Sequence, residues 1–275
     1  MSKFIAYAGP SITAQDRAAY DQIEFLPPIE EGDLLRLDTE EVTAVGIIDG
    51  YFGDRRSVSH KEILWVLSKG VAVWGAASMG ALRAAELDSY GMVGLGDIYA
   101  DYRSGRLTDD GDVAVSHGPG ELGYPALTVA LVDVHATLKA LLNIGSISRP
   151  ETRQAMQLAQ RIDFRERSWA EVAHRLGGLC YDKETWLGML EKGHVERKRL
   201  NALDLLERLT TASRSNPVTA PLMAPPLSYS FRQDLERAGL SAGWPDIDDE
   251  DDDGGGDDGG GDSGGDARPT GETLP

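Results

Sequence analysis

Ser78 stands in the run Gly75-Ala76-Ala77-Ser78-Met79-Gly80, a hydroxyl set among small residues. An apolar stretch at 71–74 precedes it and an alanine-rich helical pattern at 79–87 follows. A serine in such a strand-to-helix turn has the character of a nucleophile elbow, and the free N–H groups near Met79 and Gly80 would face a developing oxyanion. The same position reads equally as a plain helix N-cap. A serine nucleophile needs a base, and Lys61 is the candidate. A lysine serves only when neutral, which burial or the positive end of a helix dipole favours. The alternative for Lys61 is a solvated side chain. Asp49-Gly50 reads as a site carboxylate or as a turn. Arg83, one helical turn beyond Ser78, would bind a carboxylate or cover a helix face. His117, in Ser116-His117-Gly118-Pro119-Gly120, is a loop histidine that lines the site or stands apart from it.

The elements that must bring these residues together are strands and helices in alternation. Apolar runs at 4–8, 42–48 and 71–74 predict strands; 14–20, 60–69 and 79–87 predict helices. This order predicts a small parallel sheet with right-handed crossovers and flanking helices, an α/β fold. Ser59 and Glu62 form a capping box that starts the helix carrying Lys61. In a parallel sheet, ligands bind at the carboxyl edge of the strands. That rule puts Asp49, Ser78, Lys61 and the Gly9-Pro10-Ser11 turn on one rim and Lys69 on the opposite edge.

Farther on, a short helix is predicted at 98–103 and an apolar one at 125–142. The pattern is helical from 150 to about 211, with Leu200, Leu203, Leu206 and Leu209 as the apolar stripe of its last helix and Ser168/Glu171 as a second capping box. The organisation expected is an α/β core over 1–145, a helical region over 146–215 standing as an appendage, a linker over 216–245, and an Asp/Gly-rich disordered tail over 246–275.

Charge is distributed unevenly. Residues 241–275 carry twelve acids and one base, −11 of the chain's −18, which leaves −7 on 1–240. An acidic body repels phosphate backbones, so nucleic acid is not an expected partner. Arginines 149, 153, 161, 165 and 167, and the run Arg197-Lys198-Arg199, read as solvated helix faces. The lone cysteine, Cys180, reads as a buried small hydrophobe, and its solitude fits a reducing compartment. His135, on an apolar helix, reads as a satisfied core residue. No apolar run approaches membrane-spanning length and the first residues do not form a signal peptide, so the expectation is a cytoplasmic protein without a membrane partner. No metal-ligand spacing, phosphate loop or dinucleotide fingerprint occurs, so no metal and no cofactor is expected.

Three motifs, Gly46-Ile-Ile-Asp-Gly-Tyr-Phe52, Ser59-His-Lys-Glu-Ile-Leu-Trp65 and Gly75-Ala-Ala-Ser-Met-Gly-Ala-Leu-Arg-Ala-Ala-Glu-Leu87, followed by Val113-Ala-Val-Ser-His-Gly118, resemble the core of the TfuA-like family over roughly residues 4–142. The early Ala8-Gly9-Pro10-Ser11 and Leu26-Pro27-Pro28 fit as well. The resemblance implies a partner of an ATP-dependent YcaO enzyme in peptide backbone thioamidation, which releases sulfide from the thiocarboxylate of a ThiS-like sulfur carrier. It also implies a serine–lysine pair, matched here by Ser78 and Lys61. A non-catalytic adaptor that recruits peptide or carrier to YcaO is the alternative. A generic serine–lysine amidase or esterase is a third.

Overall fold

The computed structural model describes residues 3–53, 55–212 and 229–240. Met1–Ser241 belong to one compact unit. Its centre is a parallel five-stranded sheet: β1 (Lys3–Tyr7), β2 (Ile23–Leu26), β3 (Val42–Ile47), β4 (Ala72–Gly75) and β5 (Val93–Gly94), in the order β2-β1-β3-β4-β5. The register pairs Phe4 with Ala44 and Ala44 with Ala72. This is a doubly wound order, with its switch point between β1 and β3. Strands buried on both faces read as near-continuous apolar runs, which is why β1, β3 and β4 were foreseen. The edge strands β2 and β5 are short, and β2 runs directly into Pro27-Pro28; neither produces a run long enough to register.

The connecting helices are α1 (Ala14–Ala18), α2 (His60–Ser68), α3 (Met79–Leu87) and α4 (Gly96–Arg103). The Ser59/Glu62 capping box of α2 is formed in full. Beyond them lie α5 (Leu131–Asn143), α6 (Arg149–Gln160), α7 (Trp169–Leu176), α8 (Lys183–Lys192), α9 (Arg197–Leu209) and α10 (Tyr229–Arg237). Helix α5 begins six residues later than its apolar pattern suggested, because 116–128 fold as a bridged loop: His117 pairs antiparallel with Ala126 and Ser116 N–H donates to Thr128 Oγ1.

Helices α5 to α8 share a core of their own, built around Val134, Leu138, Ala155, Val172, Trp186 and Leu190. Helix α9 does not join it. Ala202, Leu205, Leu206 and Leu209 pack on Phe4, Ala6, Ala44, Ile48 and Ala72 of the sheet. The small strand residues let α9 lie close: a Cβ on Gly46 would come within 2.7 Å of Leu205. So the helical region is no simple appendage, because its last helix covers one face of the sheet. Leu200, expected on that face, is 57% exposed; the buried stripe has a different phase. Helix α10 lies inside the stretch expected as a linker, with Phe231 and Leu235 buried. The acidic tail at 246–275 lies outside the described residues. Cys180 is exposed rather than buried. Among the described residues, no helix is long and apolar enough to cross a membrane.

Candidate active site

The turn that carries Ser78 joins β4 to α3 and is tight for a visible reason. A Cβ on Gly80 would fall 2.6 Å from the carbonyl carbon of Ile47 and closer still to its oxygen, and one on Gly75 would fall 2.8 Å from the Gly80 carbonyl carbon. Only glycine at both positions lets α3 start directly against the end of β3. Closing the turn puts Ala77 in the left-handed region, at φ 65°, a conformation that costs a residue with a Cβ about 1–2 kcal/mol. Strain of this kind persists only where surrounding packing enforces it. Ala76 and Ala77 are fully buried here.

Ser78 occupies the N-cap position of α3, yet its side chain makes no cap hydrogen bond. The hydroxyl instead donates to the carbonyl oxygen of Val113 at 3.4 Å, a long contact that holds it loosely. Capping therefore does not account for Ser78. The backbone of Gly80 is already engaged: its N–H donates to Ile48 O at 3.3 Å. The expected oxyanion role of Gly80 thus conflicts with its place on the sheet. Met79 is buried beside Gly50, where a Cβ would come within 2.8 Å of Met79 Cγ.

The amine in this cleft is Lys198. Its Nζ donates to the same Val113 oxygen at 2.8 Å and lies 3.9 Å from Asp49 Oδ1, and the side chain is 5% exposed. With both donors on one acceptor, Nζ and Ser78 Oγ are no more than about 6 Å apart, the two bonds laid end to end. Burial pushes the Lys198 pKa below the ordinary lysine range, while the charges of Asp49 and Asp133 push it back up. Lys198 is also the second residue of α9, so the positive end of that helix disfavours its charged form.

Helix α9 is held at this end by acids from three other elements. Arg197 pairs with Asp97 at 2.9 Å and Asp101 at 2.5 Å of α4. Arg199 makes a two-pronged contact with Asp16 of α1, at 2.8 and 2.6 Å, that holds the Asp16 carboxyl well below its usual range. Glu196 at the N-cap supplies no side-chain cap; Asp133 of α5 does so instead, accepting the Lys198 N–H at 3.0 Å. Three consecutive cations at a helix N-terminus oppose the macrodipole, and these carboxylates offset that.

Asp49 follows β3 and sits at the switch point. Its Oδ2 accepts the N–H groups of Gly9 at 2.8 Å and Ser11 at 3.0 Å, and its Oδ1 accepts the Ser11 hydroxyl at 2.6 Å. It clamps the turn after β1 to the end of β3 and presents negative charge to Lys198. Arg17 fixes the same turn by donating to the carbonyls of Ala8 and Gly9.

Ser78, Asp49, His117 and Lys198 line one cleft of about 340 Å³, together with Tyr51 and Arg55. His117 Nδ1 lies 2.8 Å from the Gly118 carbonyl, which can only accept, so Nδ1 carries the proton there. Its ring packs between Tyr51 and Tyr124.

Lys61 and Arg83 are placed elsewhere. At the start of α2, Glu62 accepts the Gly32 N–H at 2.7 Å. The Lys61 ammonium lies 5.9 Å from the Phe231 ring, and Lys61 does not line the Ser78 cleft. Arg83 donates to Val58 O at 3.1 Å and pairs with Glu86 at 2.6 Å, facing a separate depression. Lys198 escaped the sequence reading because it stands in a charged triplet. Its place on the stripe 198, 202, 205, 209 would have marked it as buried. Among the described residues, no group of three His, Cys, Asp or Glu side chains is placed to hold a metal ion.

Residues 49–168 match the family model described as TfuA-like protein. The curated proteins hold no match to the chain. The matched segment opens on Asp49 and includes Ser78, Val113 and His117, while Lys198 lies beyond it. From the Asp49-Gly50 turn through the elbow at Ser78 to Ser168, this segment of the chain is similar to TfuA-like proteins.

Proposed function

We propose that the chain is a hydrolase-like partner of a YcaO enzyme in peptide backbone thioamidation, and that it releases sulfide from a thiocarboxylated ThiS-like carrier through Ser78 and Lys198. One observation carries the reading: a strained elbow presents a hydroxyl that caps nothing, on the same carbonyl as a buried lysine.

Neutral Lys198 takes the proton from Ser78 Oγ as the oxygen attacks the thiocarboxylate carbon. The tetrahedral species collapses by breaking the C–S bond. The Lys198 ammonium gives its proton to the departing sulfur, so hydrosulfide leaves and an acyl ester remains on Ser78. A water then loses its proton to Lys198 and attacks the ester. The same proton returns to Ser78 Oγ, and the carrier leaves as a carboxylate with release of one proton to solvent. Asp49 acts at one remove, by holding the β1 turn and the charge balance around Lys198.

Sulfide released from a thiocarboxylated carrier tests this directly. Ser78→Ala and Lys198→Met lose release by at least about a hundredfold and still bind the YcaO partner. Retention of release by both variants means that Ser78 and Lys198 are not the site, and a parent chain that binds the YcaO partner without releasing sulfide supports the adaptor reading.

A further inference from the structure

We infer that Arg55 and Arg165 form an anion-recognition pair at the mouth of the Ser78 cleft, which takes the carboxylate-type end of an acyl chain. The inference deepens the proposed function and rests on Ser78 facing a ligand there.

The charge of the cleft is the first ground. In a chain of net charge −18, this cleft is lined, among the described residues, by Arg55, Arg165 and Lys198 and by one acid, Asp49. That acid already accepts three hydrogen bonds from Gly9 and Ser11. The neighbouring cleft that shares Lys198 carries Asp133, Glu191 and Glu196, and the one that shares Arg55 carries Glu30, Asp33 and Glu121. Those two clefts also carry Lys198 and Arg199, and Arg36 and Arg55, yet acids outnumber cations in both; of the three, only the cleft with the hydroxyl has more cations than acids among its described residues.

The second ground is preorganisation. Each guanidinium stacks on an aromatic ring of its own segment that also lines the cleft: Arg55 on Tyr51 and Arg165 on Phe164, both at 4.4 Å. Stacking holds a planar guanidinium by its face and leaves its N–H edges for a two-oxygen or oxygen–sulfur acceptor. The two segments meet over Gly53, at φ +82°, where a Cβ would come within 3.2 Å of Arg165 Nη2.

The third ground is that the acids now beside them are weak competitors. Arg55 pairs with Glu30 at 2.9 Å and Arg165 with Asp163 at 3.6 Å, and both arginine side chains are more than half exposed. Exposed pairs of this kind contribute little, so a ligand carboxylate displaces them readily. Nucleophilic attack on an anionic acyl group is opposed by its own charge, and two fixed cations reduce that opposition.

The test uses the full chain with acetyl-Gly-Gly, which ends in a carboxylate, and acetyl-Gly-Gly-amide, which is neutral. Binding is read by ligand-observed NMR and, separately, by protection of Ser78 from a neutral fluorophosphonate. The carboxylate binds about tenfold more tightly than the amide, and Arg55→Gln with Arg165→Gln abolishes the preference without altering thermal unfolding. Equal binding of the two peptides, or a preference that survives the double variant, overturns the inference. Charge-selective binding without any labelling of Ser78 sinks the hydrolase reading and leaves the anion site standing.

Discussion

Gly80→Ala is the sharpest structural test of the elbow. In an ordinary helix this change stabilises by up to about 1 kcal/mol, because alanine loses less backbone entropy than glycine. Here the added Cβ meets backbone, not a flexible side chain: it falls 2.6 Å from the Ile47 carbonyl carbon. Helix α3 must retreat by about 1 Å to restore ordinary contact in a close-packed interior. Overpacking of this kind costs about 1–3 kcal/mol, and an immovable neighbour puts the cost at the upper end. The net expectation is a loss of about 2 kcal/mol, which for a urea slope of roughly 2 kcal/mol/M lowers the unfolding midpoint by about 1 M. Gly188→Ala is the matched control. Gly188 lies within α8 and nothing stands within 4 Å of its Cβ position, so the same substitution raises stability there by about 0.5–1 kcal/mol. Two Gly→Ala changes with opposite signs are predicted. If Gly80→Ala is as stable as the parent chain, α3 is not seated on Ile47 and the tight turn described here is wrong.

Other predictions concern the groups that surround the site. Burial depresses the His135 pKa to about 4, and its Nε2 is buried without a hydrogen-bond partner. Between pH 6.5 and about 4 the unfolded chain takes up a proton that the folded chain refuses. This residue's contribution to stability is therefore complete above pH 6.5 and falls with pH by about 2 kcal/mol, allowing for partial exposure. His135→Leu flattens the stability–pH profile over that window by the same amount; an unchanged slope counts against the depressed value. Asp133→Ala removes the cap on α9 and lowers stability by about 1–2 kcal/mol in thermal unfolding, whereas Asp133→Asn, which keeps an acceptor for the Lys198 N–H, loses less.

How far the site was readable follows from how each residue carries its signal. The tight turn at Ser78 is legible because it requires small residues, and Gly75, Ala76, Ala77 and Gly80 announce that locally. The place of Asp49 at the carboxyl edge is legible because apolar runs locate strand ends. Lys61 is singled out by nearness in sequence, which says nothing of residues that reach the cleft from distant helices. The edge rule names the rim on which a helix starts, not which side chain of that helix reaches a given cleft, and Lys61 does not line the one that holds Ser78. Lys198 arrives from α9, 120 positions after Ser78, and no local pattern couples the two. Its one signal was periodic. The leucines were phased on 200, 203, 206 and 209, but the buried face runs through 198, 202, 205 and 209. Arg165 and Arg167 show the same weakness of composition arguments. Both read from composition as solvated side chains, which holds for the exposed Arg165 and fails for Arg167. Arg165 stands at the cleft mouth, while Arg167 is 3% exposed and donates to the carbonyls of Gly111 and Ile162.

The claim on which the functional account turns is that Lys198 raises the reactivity of Ser78. The rate at which a neutral fluorophosphonate modifies Ser78, located by peptide mass spectrometry and followed against pH, measures it without any carrier or partner enzyme. The account predicts modification at Ser78 with a rate that climbs to a plateau below the ordinary lysine range, a fall of about 10²–10⁴-fold in Lys198→Met, and an unaltered rate in Lys61→Met. An unmodified Ser78 in the parent chain, or a Lys198→Met chain that reacts as fast as the parent, would contradict it.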